Sequence, residues 1–108
     1  MPGSKIKAYL GFAKRAGRLT LGVNAVAALK RDVFLLVADK GVAKNSWKEI
    51  LKFRRKFDCP LVMAEGLETL VGKEYCVLAA VRDKSLAGAI FREAGKGQIT
   101  EYCGGLEE

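Results

Sequence analysis

Three short apolar runs, separated by segments with helical periodicity, most limit what this 108-residue chain can fold into. The runs are Val33–Ala38, Leu61–Ala64 and Tyr75–Val81. An apolar run of strand length without polar alternation is typical of a strand that is covered on both faces. Such strands need helices on each side of the sheet. The sequence therefore predicts an α/β fold, a three-layer α/β/α sandwich with a mixed sheet of about four strands.

Apolar periodicity and boundary residues predict where the helices lie. The predicted helices are a first over about 5–16, a second over 24–30, a third that begins near Ser46, a short one over 67–71 and a last one after Asp83. Asn24 and Asp83 are suited to cap the helices that follow them. Ser46 and Glu49 have the spacing of a capping box. A brief strand is expected at 18–21.

Length and composition predict a single domain over 1–95 and a glycine-rich C-terminal tail over 96–108, within which 98–102 could add an edge strand. No apolar run approaches the roughly 18 residues that a membrane span requires. The first residues also lack the apolar stretch of a secretory signal. We therefore expect a cytoplasmic protein without a membrane partner.

The positive charge is concentrated in one half of the chain. Residues 1–58 hold fourteen basic and four acidic side chains, a net charge of +10, whereas residues 59–108 have a net charge of −3. The overall charge of +7 thus joins a strongly cationic half to a mildly anionic one. Such a distribution indicates a polyanion, such as nucleic acid, as the natural partner.

The sequence motifs of common enzymes are missing. The chain has no His, and its three cysteines, Cys59, Cys76 and Cys103, include no C-x-x-C pair, so a zinc site is not indicated. Phosphate-binding and dinucleotide-binding glycine motifs are absent as well. We therefore expect no enzymatic activity, no metal site and no cofactor, and we expect Cys59 and Cys76 to be small buried side chains.

The segment Leu21–Asn24 places a glycine and an amide side chain at the start of the second predicted helix. Backbone N–H groups at a helix start are suited to a phosphate or a base edge. An Asn amide both donates and accepts, as the reading of a purine edge requires. The alternative interpretation is that Gly22 only permits a tight turn and that Asn24 only caps a helix.

Three stretches together resemble a known family: Gly11–Leu19, then Gly22-Val23-Asn24, then the apolar run ending at Val37-Ala38-Asp39. They are similar to the kink-turn RNA-binding family of ribosomal proteins seven-Ae and thirty-e, and most of all to its small bacterial members. The resemblance covers about residues 5–93. It implies an α/β/α sandwich that presents the start of its second helix to sharply bent RNA.

The resemblance implies a set of RNA-binding residues. In the second-helix motif these are Gly22, Val23 and Asn24, while Ala25 and Ala28 stand where the family has Glu and Lys. The loop after the third strand implies further contacts from Met63, Ala64, Glu65 and Gly66. Phosphate contacts are expected from Arg15, Arg18, Lys40 and Lys44.

Two of these assignments have structural alternatives. Glu65 is equally suited to stabilise the first turn of the short helix after Gly66. The basic side chains of the third helix are more simply interpreted as a solvated surface: Lys48, Lys52, Arg55 and Lys56.

The implied function is that of an RNA-binding, ribosome-associated protein that recognises a structured, kink-turn-like RNA. Ala25 and Ala28 keep a second interpretation open, in which the RNA site is degenerate and the fold is a protein-protein interaction module. A third, an RNA-modifying enzyme, is disfavoured because 108 residues leave no room for a catalytic domain beside this fold.

Overall fold

A computed structural model describes residues 2–64, 66–93 and 100–102 of the chain. Along the chain the elements are α1 Pro2–Arg15, β1 Leu19–Leu21, α2 Val23–Ala27, β2 Leu35–Asp39, α3 Lys44–Phe57, β3 Leu61–Ala64, α4 Leu67–Val71, β4 Leu78–Val81, α5 Lys84–Glu93 and β5 Thr100–Tyr102. Among the described residues, the strands form one mixed sheet in the order β1-β4-β2-β3-β5. Of the strand pairs formed by the described residues, β2 and β3 pair in parallel and the other three pairs are antiparallel.

Side chains that alternate along the three central strands point into two separate apolar cores. In β2, Leu35 and Val37 face one core while Leu36 and Ala38 face the other. Helices α1, α4 and α5 cover the first core, and α2 and α3 cover the second. The predicted α/β/α sandwich is confirmed. The expected count of about four strands becomes five because β5 pairs with β3, as the possible edge strand at 98–102 suggested.

Several predicted helix boundaries are also confirmed. Asp83 caps α5, since its Oδ1 accepts the N–H of Leu86 at 2.9 Å. Asp58 ends α3 in the left-handed conformation, and Gly72 ends α4 in the same way. Cys103 and most of the predicted tail over 96–108 lie outside the described residues.

Two predicted helix starts are wrong. Gly22, not Asn24, is the N-cap of α2, because its carbonyl accepts the N–H of Val26 at 3.0 Å. The capping box does not form either: α3 begins at Lys44 after Ala43, and its N-cap makes no side-chain hydrogen bond. In both places the helix begins earlier than the side chains suggested. At α2 the N–H of Gly22 donates to Leu78 O of β4, and at α3 the carbonyl of Ala43 accepts the N–H of Trp47 at 2.9 Å.

Helix α2 is shorter than predicted and ends at Ala27. Its end is held by Lys56 of α3, whose Nζ donates to Leu29 O at 2.8 Å and to Ala27 O at 3.4 Å. A lysine that donates to the last carbonyls of a helix stabilises that end. Lys56 is therefore a structural tie between α2 and α3 and not only part of a solvated surface. Within the described part of the chain, no helix is both long and apolar enough to cross a membrane.

Candidate nucleic-acid interface

Loops from both halves of the chain meet at one edge of the sheet. Strands β2 and β3 run in parallel, and β4 runs antiparallel to β1 and β2. The carboxyl ends of β1, β2 and β3 therefore lie beside the amino end of β4. We call this edge the loop edge; it consists of 22–24, 40–44, 66–67 and 73–77.

Backbone hydrogen bonds fix these loops to the strands. Each is 2.9 Å long: Gly22 N–H to Leu78 O, Asp39 N–H to Val77 O, and Lys40 N–H to Ala64 O. The three segments that the sequence singled out are thus attached to neighbouring strands. Their spacing is set by the sheet and not by their own side chains.

The carboxylate of Asp39 links two of the loops. Its Oδ2 accepts the N–H of Gly41 at 2.8 Å, and its Oδ1 accepts the N–H of Leu67 at 2.9 Å. The first bond shapes the loop after β2, and the second holds the start of α4. Asp39 therefore has a structural role that the sequence had not suggested.

Gly22 occupies a backbone conformation that other residues rarely adopt. Its φ is 98° and its ψ is 148°. A Cβ built at this position would meet no atom within 4 Å, so the requirement for glycine comes from the backbone alone. The tight-turn interpretation of Gly22 is therefore correct, whatever else the turn does.

Asn24 lies in the first turn of α2 with its side chain exposed. Because Gly22 is the N-cap, the side-chain amide of Asn24 is not needed to cap the start of α2. Helix α2 has only five residues, so few peptide dipoles add up along it. The helix macrodipole therefore contributes little to the phosphate site predicted at this helix start. The polar groups there are the first backbone N–H groups of α2 and the side-chain amide of Asn24.

Two lysines of the loop edge are exposed: Lys40, which follows β2, and Lys44, the first residue of α3. The first turn of α3 holds no acidic residue. Two cations thus stand on the same edge as Asn24, where phosphates of a bound polyanion would be neutralised.

The loop after β3 differs from the expectation. Met63 is only 7% exposed and Ala64 is fully buried, because their side chains enter opposite apolar cores. Neither side chain is exposed for the RNA contact that the resemblance implied. Gly66 is exposed in the left-handed conformation, and Glu65 lies outside the described residues. Val23 is half-buried against the core beneath α2.

Arg15 and Arg18 do not lie at the loop edge. Arg18 precedes β1, and its carbonyl accepts the N–H of Arg82, which follows β4, at 2.7 Å. Arg18 therefore lies at the end of β1 and β4 that is opposite to the loop edge, and Arg15 precedes it by three residues. Arg15 lies near the end of α1, with its guanidinium carbon 5.1 Å from the centroid of the Phe12 ring. The RNA contact expected from Arg18 is therefore not at the loop edge, since β1 runs from Arg18 toward that edge and leaves Arg18 a strand length away from it.

The loop edge contains an aromatic residue that the sequence analysis missed. Tyr75 is 88% exposed and has a φ of 61°. Its N–H donates to Glu68 Oε2 at 3.2 Å, which holds the turn between α4 and β4. The apolar run was predicted to start at Tyr75, whereas β4 starts at Leu78. The polar turn Gly72-Lys73-Glu74 was the available signal that Tyr75 belongs to a loop.

The two described cysteines lie in the interior, as expected. Burial raises the pKa of Cys59 from 9.0 to about 12, and burial also raises the pKa of Cys76. The Cys76 thiol lies behind the loop edge and donates to Leu78 O at 3.3 Å. Both thiols stay protonated at neutral pH and are poor nucleophiles. Within the described residues, no cluster of three or more His, Cys, Asp or Glu side chains is arranged to hold a metal ion.

Comparisons with known proteins support the fold alone. No family model matches the chain, and no curated protein matches it. Among solved structures, the chain is similar to a protein of unknown function from Bacillus halodurans C, with a TM-score of 0.66 and 22% sequence identity. The match covers 81% of this chain and 93% of that protein. At this identity the similarity shows a shared α/β architecture.

Proposed function

We propose that this chain is a non-enzymatic RNA-binding protein that contacts a structured RNA through its loop edge. The observation that carries the proposal is the grouping of an exposed amide, two exposed lysines and an exposed aromatic ring on one edge: Asn24, Lys40, Lys44 and Tyr75. These side chains supply a base-reading group, phosphate contacts and a stacking surface.

The charge of the chain supports the same proposal. The cationic half contributes α2, the loop after β2 and α3, and these elements form one side of the loop edge. Exposed basic residues continue along α3 at Lys48 and Lys52. Lys52 forms an ion pair with Glu49, with 3.5 Å between Nζ and Oε2. A long cationic surface beside a small polar centre suits a ligand with many phosphates.

Within this proposal, the RNA is a kink-turn or a similarly bent structure, and the protein works in the cytoplasm in association with the ribosome. This finer part depends on the resemblance of the Gly22–Asn24 segment to the kink-turn family. Ala25 and Ala28 are exposed on α2 and offer no hydrogen-bonding side chain. We therefore infer that selectivity for bent RNA is lower here than two more polar side chains would give.

The test is a titration of the protein with a kink-turn RNA and with a straight duplex of matched composition at two salt concentrations. We expect Asn24→Ala to weaken kink-turn binding by about 5- to 150-fold, equivalent to roughly 1–3 kcal/mol for one good base contact. Ser85→Ala is the matched control, since Ser85 is exposed on α5 beyond the opposite end of β4.

The lysines give an independent measure in the same experiment. Each phosphate contact adds about 0.7 to 0.9 to the slope of log affinity against log salt concentration. Lys40→Gln and Lys44→Gln should each reduce that slope by about one contact for both RNAs, whereas Lys84→Gln should leave it unchanged. Equal affinity for both RNAs with no effect of Asn24→Ala would refute recognition by the loop edge.

The exposed alanines also favour a second candidate, a protein-protein interaction module on the same fold. Ala25 and Ala28 give α2 a small, uncharged outer surface against which another protein could pack closely. A folded wild-type protein that binds neither RNA, even at low salt, would favour this candidate over the first.

A further inference from the structure

A cleft between α1 and α4 lies on the opposite side of the sheet from α2 and α3. Its volume is about 430 Å³, within the range of small-molecule pockets. Helix α1 contributes Lys7, Gly11, Phe12 and Arg15, and α4 with its end contributes 69–72. We call it the α1–α4 cleft.

The walls of the cleft are held at a fixed spacing. Lys14 reaches from α1 and donates its Nζ to Val71 O at 2.9 Å, which ties α1 to the last turn of α4. A Cβ at Gly72 would lie 3.6 Å from that Nζ, an ordinary van der Waals contact, so the lysine packs closely against the end of α4. The cleft is thus part of the packed structure and not a gap between loose helices.

An aromatic ring and a guanidinium lie side by side in the lining of the cleft. Phe12 is 50% exposed, and Arg15 lies over its ring at 5.1 Å. Among the described residues, Phe12 and Tyr75 are the large hydrophobic side chains that are exposed. An exposed phenylalanine beside a planar cation is a surface on which a nucleobase stacks, and the guanidinium also donates to phosphate.

Charge complementarity selects the ligand. Helix α1 has no acidic residue, and exposed Lys7 and Arg15 stand on either side of Phe12 along it. An amphipathic peptide helix would need several apolar anchors in a groove, whereas this cleft offers one exposed ring. A ligand that alternates flat rings with negative charges fits better, and single-stranded RNA has that chemistry.

The cleft is also within reach of the loop edge. Helix α4 begins after Gly66 on that edge and ends at the cleft. Its five residues span only about 7 Å at 1.5 Å per residue. A short single strand that follows α4 from the loop edge would therefore arrive at the cleft that Phe12 lines.

We propose that the α1–α4 cleft is a second RNA-binding surface, which holds a single-stranded segment by stacking a base on Phe12 and pairing phosphates with Arg15 and Lys7. The inference rests on the proposed function for its ligand class, RNA, but uses different residues. It explains why Arg15 lies away from the loop edge and still belongs to an RNA-binding surface.

The experiment compares two RNAs on the intact protein: a fluorescently labelled octauridylate and a kink-turn RNA without single-stranded ends. We expect Phe12→Leu to weaken octauridylate binding at least 5-fold, because stacking on an aromatic side chain is worth about 5- to 150-fold per base. The same variant should leave the kink-turn RNA within 2-fold. Asn24→Ala should have the reverse effects.

Arg15→Gln is a second variant, with Lys84→Gln as a control that removes the same charge outside the cleft. We expect Arg15→Gln to weaken octauridylate binding more than Lys84→Gln does. Circular dichroism and thermal unfolding confirm that each variant is folded before it is titrated.

The proposal is overturned if wild-type protein does not bind octauridylate, if Phe12→Leu changes its affinity less than 2-fold, or if both RNAs weaken equally. Tighter, Phe12-dependent binding of a hexaglutamate peptide would overturn it in favour of a protein ligand. Failure of the kink-turn RNA alone, with Phe12-dependent octauridylate binding intact, would refute the loop-edge function and leave the cleft standing.

Discussion

Replacement of Gly22 by alanine should destabilise the protein although the added methyl group has room. The position has a φ of 98° and a ψ of 148°, and a Cβ there would meet nothing within 4 Å. The cost therefore comes from the backbone conformation, which is about 1–3 kcal/mol unfavourable for a non-glycine residue. The two hydrogen bonds of Gly22, to Leu78 O and from Val26 N–H, oppose relaxation of the turn.

The unfolded chain offsets part of this cost. Alanine has fewer unfolded conformations than glycine, which favours the folded state by about 0.4–1 kcal/mol. With an offset of about 0.7 kcal/mol, the middle of that range, the net loss is roughly 0.3–2.3 kcal/mol. For a domain of about this size, each kcal/mol corresponds to a decrease in Tm of roughly 4–8 °C.

Gly88→Ala is the matched control for Gly22→Ala. Gly88 lies inside α5, and a Cβ there would be 3.6 Å from Arg92 Nη1, an ordinary contact. Alanine is favoured over glycine within a helix by about 1 kcal/mol. The same substitution should therefore stabilise the protein at this position.

Urea unfolding followed by circular dichroism measures the free energy of unfolding of the wild type and both variants. We expect the order Gly88→Ala above wild type above Gly22→Ala, with similar urea dependence. A Gly22→Ala protein that is as stable as the wild type, or as stable as Gly88→Ala, would refute the assignment of this glycine to backbone strain.

Two further results are expected. Asp39→Ala should lower the free energy of unfolding by about 1–3 kcal/mol, since it leaves the N–H groups of Gly41 and Leu67 without their acceptor. Urea unfolding measures this change. Asp83→Ala removes one capping hydrogen bond and should lower the free energy of unfolding by less. The Cys59 thiol ionises near pH 9 when the chain is unfolded and near pH 12 when it is folded, so its contribution to stability is complete below pH 9 and is lost as pH rises toward 12. Cys59→Ala should therefore show a shallower loss of stability between pH 8 and 10.5 than the wild type, and equal slopes would contradict the raised pKa.

Much of the architecture could be predicted from local patterns. Apolar runs without alternation marked β2 and β3, and the short helix predicted over 67–71 ends as expected, with Gly72 after it. The capping of α5 by Asp83 could be predicted because its carboxylate accepts an N–H only three residues further along the chain. Predictions of this kind succeed because the interactions that decide them lie within a few residues along the chain.

The predictions that failed depended on contacts distant in sequence. Asn24 and Ser46 have the side chains of helix caps, but Gly22 and Ala43 take the N-cap positions, and the N–H of Gly22 is bonded to Leu78 O of β4. The apolar run predicted a strand from Tyr75, whereas the pairing of β4 begins at Leu78. In these places the backbone hydrogen bonds of the folded protein decide the boundary, and the local side-chain preference does not.

The sequence by itself determined that strands covered on both faces alternate with helices and that one half of the chain is cationic. Only the tertiary structure decided which candidate residues share a surface. Strand direction separates Arg18 from Asn24 across the length of β1, and the alternation of side chains in β3 buries Met63 and Ala64. Direction and face depend on how strands pair, and pairing is an interaction between segments far apart in the chain.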